Sequence, residues 1–409
     1  MTAEMIAVGS EMLTPAKVDT NSLWLTDQLN LLGIDLVQKA VVGDDRDRLA
    51  AAIGAAVGRT PIVLITGGLG PTEDDLTREA TAQALNRELV HDAETLAAIE
   101  ARFARLHRKM APNNRRQAFL VAGAVKLDNP NGTAPGQWIE VEGRIVVLLP
   151  GPPGEMKPML LNHVLPRLRE RVPRRALRTR FYRVAGMGES DVDQRIAPLY
   201  KPYANPVTTI LAAAGDIQIH LRAFCETEEE AEGLVAELGA KIEAELGDRI
   251  YSTTGAPLEV AVGQMLKQRG ATLAVAESCT GGLLGGRITE APGASEWFLG
   301  GFQVYGRAMK TRLLGLDDKM VEREGVVSEA VAVAMAESAR DRTGATYALS
   351  VTGEAGPESA TPGIEPGTVW IGIATPERAE ARLYRFPGDR ARVRAFAVQS
   401  ALNLLRLRI

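Results

Sequence analysis

Only two cysteines, Cys225 and Cys279, occur in the 409 residues. One pair cannot make a disulfide scaffold, and so few thiols suit a reducing compartment. No Cys/His cluster has zinc-ligand spacing, which argues against a structural zinc site. Nowhere do about 20 apolar residues run consecutively, so no transmembrane helix is expected. The N-terminal segment lacks the basic and apolar regions of a signal peptide, which makes the cytoplasm the expected location. Positive charge is not in excess either. The net charge is −4, so no global basic field recruits nucleic acid. From Gly255 to the C-terminus there is no histidine. A Ser–His–Asp triad built within that stretch is therefore excluded, unless another domain or subunit lends the histidine.

What is present is an ordinary globular balance, 45% hydrophobic and 24% charged, in a chain long enough for two or three domains. Up to about residue 165, strand and helix signals alternate. Strands are expected at 5–8, 36–42, 62–66, 138–141 and 145–149. Helices are expected at 21–32, 48–57 and near Asp75, the first capped by Asp19, Thr20 or Asn21 with Gly33 beyond its end. Such alternation predicts a mostly parallel sheet with helices on both faces. The arginine-rich stretch 167–180 reads as a solvated linker. An α+β module follows, with strands at 180–185 and 217–224 and a charged helix at 228–245, ending near Gly255. The α/β rhythm then resumes, with helices at 258–268, 282–289, 328–341 and 393–406 and strands at 273–276, 347–351 and 368–374.

Two strand-to-helix turns carry chemistry. The first is Thr66-Gly67-Gly68-Leu69-Gly70-Pro71-Thr72-Glu73-Asp74-Asp75. Its glycines let backbone approach a ligand closely, and free N–H groups at a helix start suit phosphate oxygens. An aspartate beside phosphate repels it unless a divalent cation lies between them. Asp75 thus reads as a metal ligand, with Asp44 as a possible second carboxylate. The plainer alternative is a tight left-handed turn, with Asp74 and Asp75 favouring the helix dipole. No Gly-Lys-Ser/Thr follows, so this is not a Walker loop.

The second turn is Ala276-Glu277-Ser278-Cys279-Thr280-Gly281-Gly282. A serine there sits at a sheet edge near donors suited to an oxyanion, or else it merely caps a helix. As a nucleophile it needs a base, and without histidine that base is a lysine or tyrosine. Tyr305 and Lys310, five residues apart at another strand-to-helix transition, are the candidates. Cys279 reads as a small buried neighbour.

Several motifs together resemble the CinA (competence/damage-inducible) family over nearly the whole chain. In the first part they are Gly9-Ser10-Glu11, Asp19-Thr20-Asn21-Ser22, the glycine turn with Asp74-Asp75-Leu76-Thr77, Asn131-Gly132-Thr133-Ala134-Pro135-Gly136 and Leu149-Pro150-Gly151-Pro152-Pro153-Gly154-Glu155-Met156. In the last part they are 276–282, Gly300-Gly301-Phe302 with Tyr305 and Lys310, Gly325-Val326-Val327-Ser328, Val351-Thr352-Gly353 and Gly388-Asp389-Arg390. The resemblance implies two α/β domains joined by a small α+β, KH-like module: a molybdopterin-binding-like domain at 1–170, the module at 171–254 and a deamidase domain at 255–409.

The same resemblance implies that the first domain hydrolyses ADP-ribose to AMP and ribose 5-phosphate, assisted by a divalent metal (Mg or Co) and potassium (K). Asp44 and Asp75 would hold the metal and Gly67, Gly68 and Gly70 would line the phosphates. Thr72, Glu11, Asn21 and Glu155 are further nucleotide-binding candidates, although Asn21 alone reads equally as a helix cap and Glu155 as a helix start. The last domain is similar to nicotinamide mononucleotide deamidases, which need no cofactor. Ser278 would be the nucleophile, Lys310 and Tyr305 its proton-transfer groups, and Thr352 a positioning residue. Thr280, Gly281 and Gly282 would supply the oxyanion hole; Gly353 would line the substrate and Arg390 clamp its phosphate.

Two departures from the family pattern stand out: Gly306-Arg307 where Ser-Asn is common, and the altered loop 358–363. Gly186-Met187-Gly188-Glu189 is not the basic Gly-X-X-Gly loop of an RNA-binding KH domain, so nucleic acid is not an expected partner. The module reads as a spacer or dimerisation element, and a homodimer is expected. Two rival readings are a non-catalytic scaffold in competence or damage response and a pterin adenylyltransferase-like first domain.

Overall fold

The computed structural model describes residues 1–15, 17–172, 176–359 and 361–409. Contacts divide the chain into two compact units, residues 1–177 with 224–231 and residues 178–223 with 232–409.

The N-terminal domain begins with β1 (Thr2–Val8), α1 (Asn21–Asn30), β2 (Asp35–Val42), α2 (Arg46–Arg59), β3 (Ile62–Thr66) and α3 (Thr77–Ala84). After the short β4 (Leu89–His91) come α4 (Ala93–Arg105), β5 (Phe119–Val121), β6 (Val125–Leu127), β7 (Gly136–Val141), β8 (Arg144–Leu149), α5 (Pro153–Met159) and α6 (Leu165–Arg171). The main sheet has the order β2-β1-β3-β8-β7-β6. Its first four strands run parallel, β7 runs antiparallel to β8, and β6, antiparallel to β7, points the same way as the first four. The expectation of a mostly parallel sheet holds, with β7 the one strand of this sheet that runs against the others. Glu142 and Gly143 both take positive φ, 49° and 77°, the conformation of a tight hairpin turn, and a hairpin can only join antiparallel strands.

All five residues of β3 are buried. Ile62 and Leu64 pack with Leu25 and Leu29 of α1, while Val63 and Ile65 pack with Leu49 and Ile53 of α2. Alternation on a strand thus feeds two cores, each large side chain contributing roughly 1.5–3 kcal/mol of burial. The stretch 167–180 is not a linker. Leu165 and Leu168 anchor α6 in the core, and Arg171 pairs with Glu140 at 2.8 Å. Residues 173–175 lie outside the described residues, and 176–180 belong to the next strand.

The middle module comprises β9 (Ala176–Ala185), α7 (Glu189–Tyr200), β10 (Val207–Ala213), β11 (Asp216–Cys225), α8 (Glu228–Leu246) and β12 (Ile250–Ser252), its sheet ordered β10-β11-β9-β12. Neither α7, which contains Pro198, nor the largely exposed β10 has a strong sequence signal.

The C-terminal domain runs α9 (Leu258–Gln268), β13 (Leu273–Glu277), α10 (Leu283–Thr289), β14 (Phe298–Gln303), α11 (Arg307–Leu314), α12 (Asp318–Glu324), α13 (Glu329–Thr343), β15 (Tyr347–Gly353), β16 (Thr368–Ala374), β17 (Ala379–Arg385) and α14 (Arg390–Arg406). Its sheet has the order β14-β13-β15-β16-β17, in which the first three strands and β17 share one direction and β16 runs against them. Leu273 and Val275 of β13 face α9, α10 and α14, while Ala274 and Ala276 face α13. Ser328 caps α13, its hydroxyl accepting the Val331 N–H at 3.3 Å.

Both main sheets reverse their strand order at one place: β1 lies between β2 and β3, and β13 between β14 and β15. Crevices beyond the carboxyl ends of strands at such reversals are where open α/β sheets bind ligands. Among the described residues no helix is long and apolar enough to cross a membrane.

Candidate functional sites

A cleft of about 560 Å³ opens beyond the carboxyl ends of β1 and β3, lined by Glu11, Asn21, Asp44, the 67–70 turn, Asp75 and Glu155. Of the expected residues at this end only Thr72 stands outside the lining. Gly67 and Gly68 have φ of +98° and +64°, and a Cβ on Gly68 would lie 2.2 Å from Thr77 Oγ1. Only glycine fits such a position. The Gly67 N–H is taken by the Leu149 carbonyl at 3.0 Å, and the Gly70 N–H by Asp75 Oδ1 at 2.8 Å. Among the described residues nothing accepts from the amides of Gly68 and Leu69, so these two are the donors left for a phosphate.

Asp75 braces the turn: its Oδ2 also accepts from the Thr72 N–H at 2.9 Å and the Thr72 hydroxyl at 2.6 Å. The helix starts two residues beyond it, at Thr77. Underneath, Arg78 is 1% exposed and donates to the carbonyls of Leu69 at 2.7 Å and Gly70 at 3.0 Å. Burial pulls its pKa below the ordinary arginine value, against the opposing pull of Glu79 and Asp75. Asp44 Oδ2 accepts the Ser10 N–H at 2.7 Å, while its Oδ1 takes no bond among the described residues. Glu11 is bound by Lys17 at 2.8 Å, which holds its carboxyl below the usual range. Asn21 donates to the Gly151 carbonyl at 2.7 Å, tying α1 to the loop after β8, and its Oδ1 is buried without a partner. Glu155 accepts from Asn129 at 2.7 Å.

For a cation, no group of three or more His, Cys, Asp or Glu converges among the described residues, so there is no all-protein cage. The donors suit a hard ion that keeps several waters and shares phosphate oxygens, as Mg²⁺ does with one or two carboxylates. Asp44 has the open oxygen for that role, while both oxygens of Asp75, also on the wall, already accept from the turn.

In the C-terminal domain Ser278 follows β13 directly, its N–H donating to the Val351 carbonyl of β15 at 2.9 Å. Lys310 Nζ donates to Ser278 Oγ at 2.9 Å, to the Val304 carbonyl at 2.9 Å and to the Tyr305 carbonyl at 3.3 Å. Lys310 is 1% exposed, and burial brings its pKa down to about 8. The Ser278 hydroxyl donates to the Tyr305 carbonyl at 3.3 Å. Cys279 is buried and its thiol is pushed up to about 12, a neutral neighbour.

Tyr305 reaches Ser278 through its main chain. Its exposed hydroxyl accepts from Arg390 at 2.9 Å, and Arg390 also donates to the Gly356 carbonyl at 3.0 Å. Among the oxyanion candidates, the Gly281 N–H closes onto the Ser278 carbonyl at 3.0 Å and the Gly282 N–H onto Glu277 at 3.0 Å. The Thr280 N–H has no acceptor among the described residues, and its hydroxyl is buried without a partner. Thr352 donates to the Val326 carbonyl at 2.7 Å. Gly353 has a packing reason, since a Cβ there would lie 2.6 Å from the Thr368 carbonyl. Arg307 is held outside by Asp318 at 3.0 Å and Glu322 at 3.4 Å. In the loop 358–363, Ala360 lies outside the described residues, and the Thr361 hydroxyl bonds Glu354.

This arrangement lies in a chain whose relatives are extensive. The CinA-like protein of Solibacter usitatus is 56% identical over 409 residues, covering 100% of this chain and 98% of that one. The CinA-like proteins of Koribacter versatilis and Acidobacterium capsulatum are each 46% identical over 413 residues, covering 100% of both chains. The chain belongs to the CinA family. Residues 255–409 match the CinA C-terminal domain, 179–252 the damage-inducible protein CinA KH domain, and 4–170 the domain described as "probable molybdopterin binding domain". A crystal structure of CinA from Thermoplasma acidophilum is 34% identical, covering 39% of this chain and 95% of that one, with a TM-score of 0.37.

Within this chain, three residues escaped sequence reasoning. Glu277 is 2% exposed and its carboxylate accepts the N–H groups of Gly282 and Leu284 at 3.0 Å and of Gly285 at 2.8 Å, which fixes the turn that carries Ser278. Arg394 donates to the Thr280 carbonyl at 2.7 Å. Arg78 lies under the glycine turn. The one usable signal was Glu277 itself, a charge ending an otherwise apolar strand.

Proposed function

We propose that the Ser278 site deamidates nicotinamide mononucleotide to nicotinate mononucleotide and ammonia. The observation that carries this reading is the buried Lys310 amine 2.9 Å from Ser278 Oγ. With a pKa near 8, it is partly neutral under ordinary conditions. When neutral it has two N–H groups and one lone pair. The carbonyls of Val304 and Tyr305 take the hydrogens and the lone pair turns to Ser278.

Lys310 then takes the Ser278 proton as Oγ attacks the carboxamide carbon. The tetrahedral oxygen is stabilised by the free Thr280 N–H. Collapse breaks the C–N bond, with Lys310 returning its proton to the leaving nitrogen, and ammonia departs. Water, deprotonated by Lys310, attacks the resulting ester; Oγ recovers a proton and nicotinate mononucleotide is released. Arg390 binds the nucleotide's phosphate, a task suited to a guanidinium with donors to spare. A scaffold has no use for an ammonium buried without an ion pair, since that arrangement costs stability.

The first cleft is suited to a diphosphate, and hydrolysis of ADP-ribose to AMP and ribose 5-phosphate is the reaction proposed for it. The amides of Gly68 and Leu69 bind phosphate oxygens, and Arg78 adds positive charge beneath them. Asp44, with Asp75, would hold a divalent cation that neutralises the diphosphate. A cytoplasmic homodimer is part of the same proposal.

The deciding assay is ammonia release from nicotinamide mononucleotide by the full-length protein, beside Ser278→Ala. Release by the wild type alone supports the proposal; equal release by a folded variant overturns it. ADP-ribose turnover that survives in Ser278→Ala separates the two sites.

A further inference from the structure

A second cavity of about 440 Å³ lies in the N-terminal domain. One wall is a face of α4, where Thr95, Ile99, Arg102 and Arg105 recur at three- and four-residue spacing and so align. Lys126, Asp128 and Asn129 also line it, as does His163, which sits in the π-helical turn Leu160–Val164. Turns of that kind recur at functional sites.

The lining is positive, with Arg102, Arg105 and Lys126 against the single carboxylate of Asp128. Arg102 is held by the Pro130 carbonyl at 2.8 Å and Lys126 by Glu94 at 3.0 Å. The Arg105 guanidinium and the His163 ring have no hydrogen-bonding partner among the described residues. Ala98, Ile99, Pro130 and Pro135 give the cavity an apolar side. A free guanidinium and an unpartnered imidazole beside an apolar surface, with two further cations in the lining, in a cavity of small-molecule size, fit an anionic group attached to an organic body.

Thr133 lines both cavities. Asn129 joins them as well, donating to the Ala134 carbonyl at 2.8 Å and to Glu155 of the first cleft at 2.7 Å.

We infer that this second cavity is a separate binding site for a phosphomonoester, a small sugar phosphate or nucleoside monophosphate. Arg105 clamps the phosphate, Arg102 and Lys126 supply charge, His163 contributes a hydrogen bond, and the sugar or base lies on the apolar side. The inference does not depend on the reaction proposed for the neighbouring cleft.

The test is calorimetric titration of the full chain with ribose 5-phosphate, AMP and inorganic phosphate, repeated on Arg105→Ala/His163→Ala. Neither side chain is in a core, so circular dichroism should report an unchanged fold. The expected result is wild-type binding of at least one ester, weakened tenfold or more in the variant; which ester is weakened identifies the source. A folded variant that binds both esters as tightly as the wild type places them elsewhere and overturns the inference. So does a wild type that binds neither ester, or one that binds inorganic phosphate just as tightly.

Discussion

Lys310 Nζ lies 2.9 Å from Ser278 Oγ, and the remaining acceptors within its reach are two main-chain carbonyls. No carboxylate forms an ion pair with this amine among the described residues, so burial acts on it almost unopposed. Its pKa near 8 therefore reports a lysine held ready to lose its proton. In the proposed mechanism the neutral form is the working base. Deamidation should rise with pH and level off above about 8, as kcat/KM measured from pH 6 to 9.5 would show. A profile that falls across 8 would mean the charged form is the active one.

The same shift has a consequence for stability. Lys310 binds its proton less tightly folded than unfolded, so between about 8 and the ordinary lysine range the unfolded chain holds more protons. Stability from this group rises with pH across that window. Lys310→Met should flatten the rise in denaturant melts while lowering amide turnover by about 10²–10⁴-fold, the usual contribution of general acid–base catalysis. A folded Lys310→Met of undiminished activity would exclude the lysine as base.

Tyr305 and Arg390 should separate by kinetics. Tyr305 touches Ser278 through its carbonyl, so Tyr305→Phe should keep kcat within a few-fold. On the proposed reading Arg390→Ala would remove a charge-assisted contact to phosphate of about 1.5–3 kcal/mol. It should raise KM about tenfold to a hundredfold with little change in kcat. A large kcat loss in Tyr305→Phe would place the phenol in proton transfer.

Glu277→Ala would leave three amides at the start of α10 without their acceptor. Each unsatisfied group costs about 1–3 kcal/mol when buried, so a clear fall in the melting temperature is expected, with loss of amide turnover. Glu277→Gln keeps one acceptor oxygen and should fall between. Equal melting of all three proteins would show that the turn holds without this carboxylate.

Gly68→Ala should abolish ADP-ribose turnover and spare deamidation. Its φ of +64° is strained for alanine, and the new methyl would meet Thr77 Oγ1 at 2.2 Å. Asp44→Asn, which changes charge but little shape, should raise the divalent metal concentration needed for half-maximal ADP-ribose turnover. An unchanged metal requirement would remove Asp44 from that role.

What was legible in the sequence was whatever depends on short-range pattern. The apolar runs 62–66 and 368–374 are strands with the expected bounds, because buried strands are continuous apolar stretches. The glycine turn and the Ser278 turn were visible because both sit where an apolar run meets glycines. Partners brought together by folding were not. Glu277 reads like any charge at a strand end until the N–H groups of Gly282, Leu284 and Gly285 gather on it. Tyr305 looked like a side-chain participant because sequence shows side chains, whereas its carbonyl faces the lysine. Thr72 and Asp75 bind each other across the turn, which spacing alone does not reveal. The single reversed strand in each main sheet, β7 and β16, was hidden too, since strand direction depends on how short the connecting turns are.

The most direct test of the central claim is to quench the wild-type protein in acid during turnover of nicotinamide mononucleotide and map its peptides by mass spectrometry. An ester of nicotinate mononucleotide on the peptide containing Ser278, absent from Ser278→Ala, is the predicted result. Ammonia released at the wild-type rate by Ser278→Ala, with no ester on either protein, would contradict it.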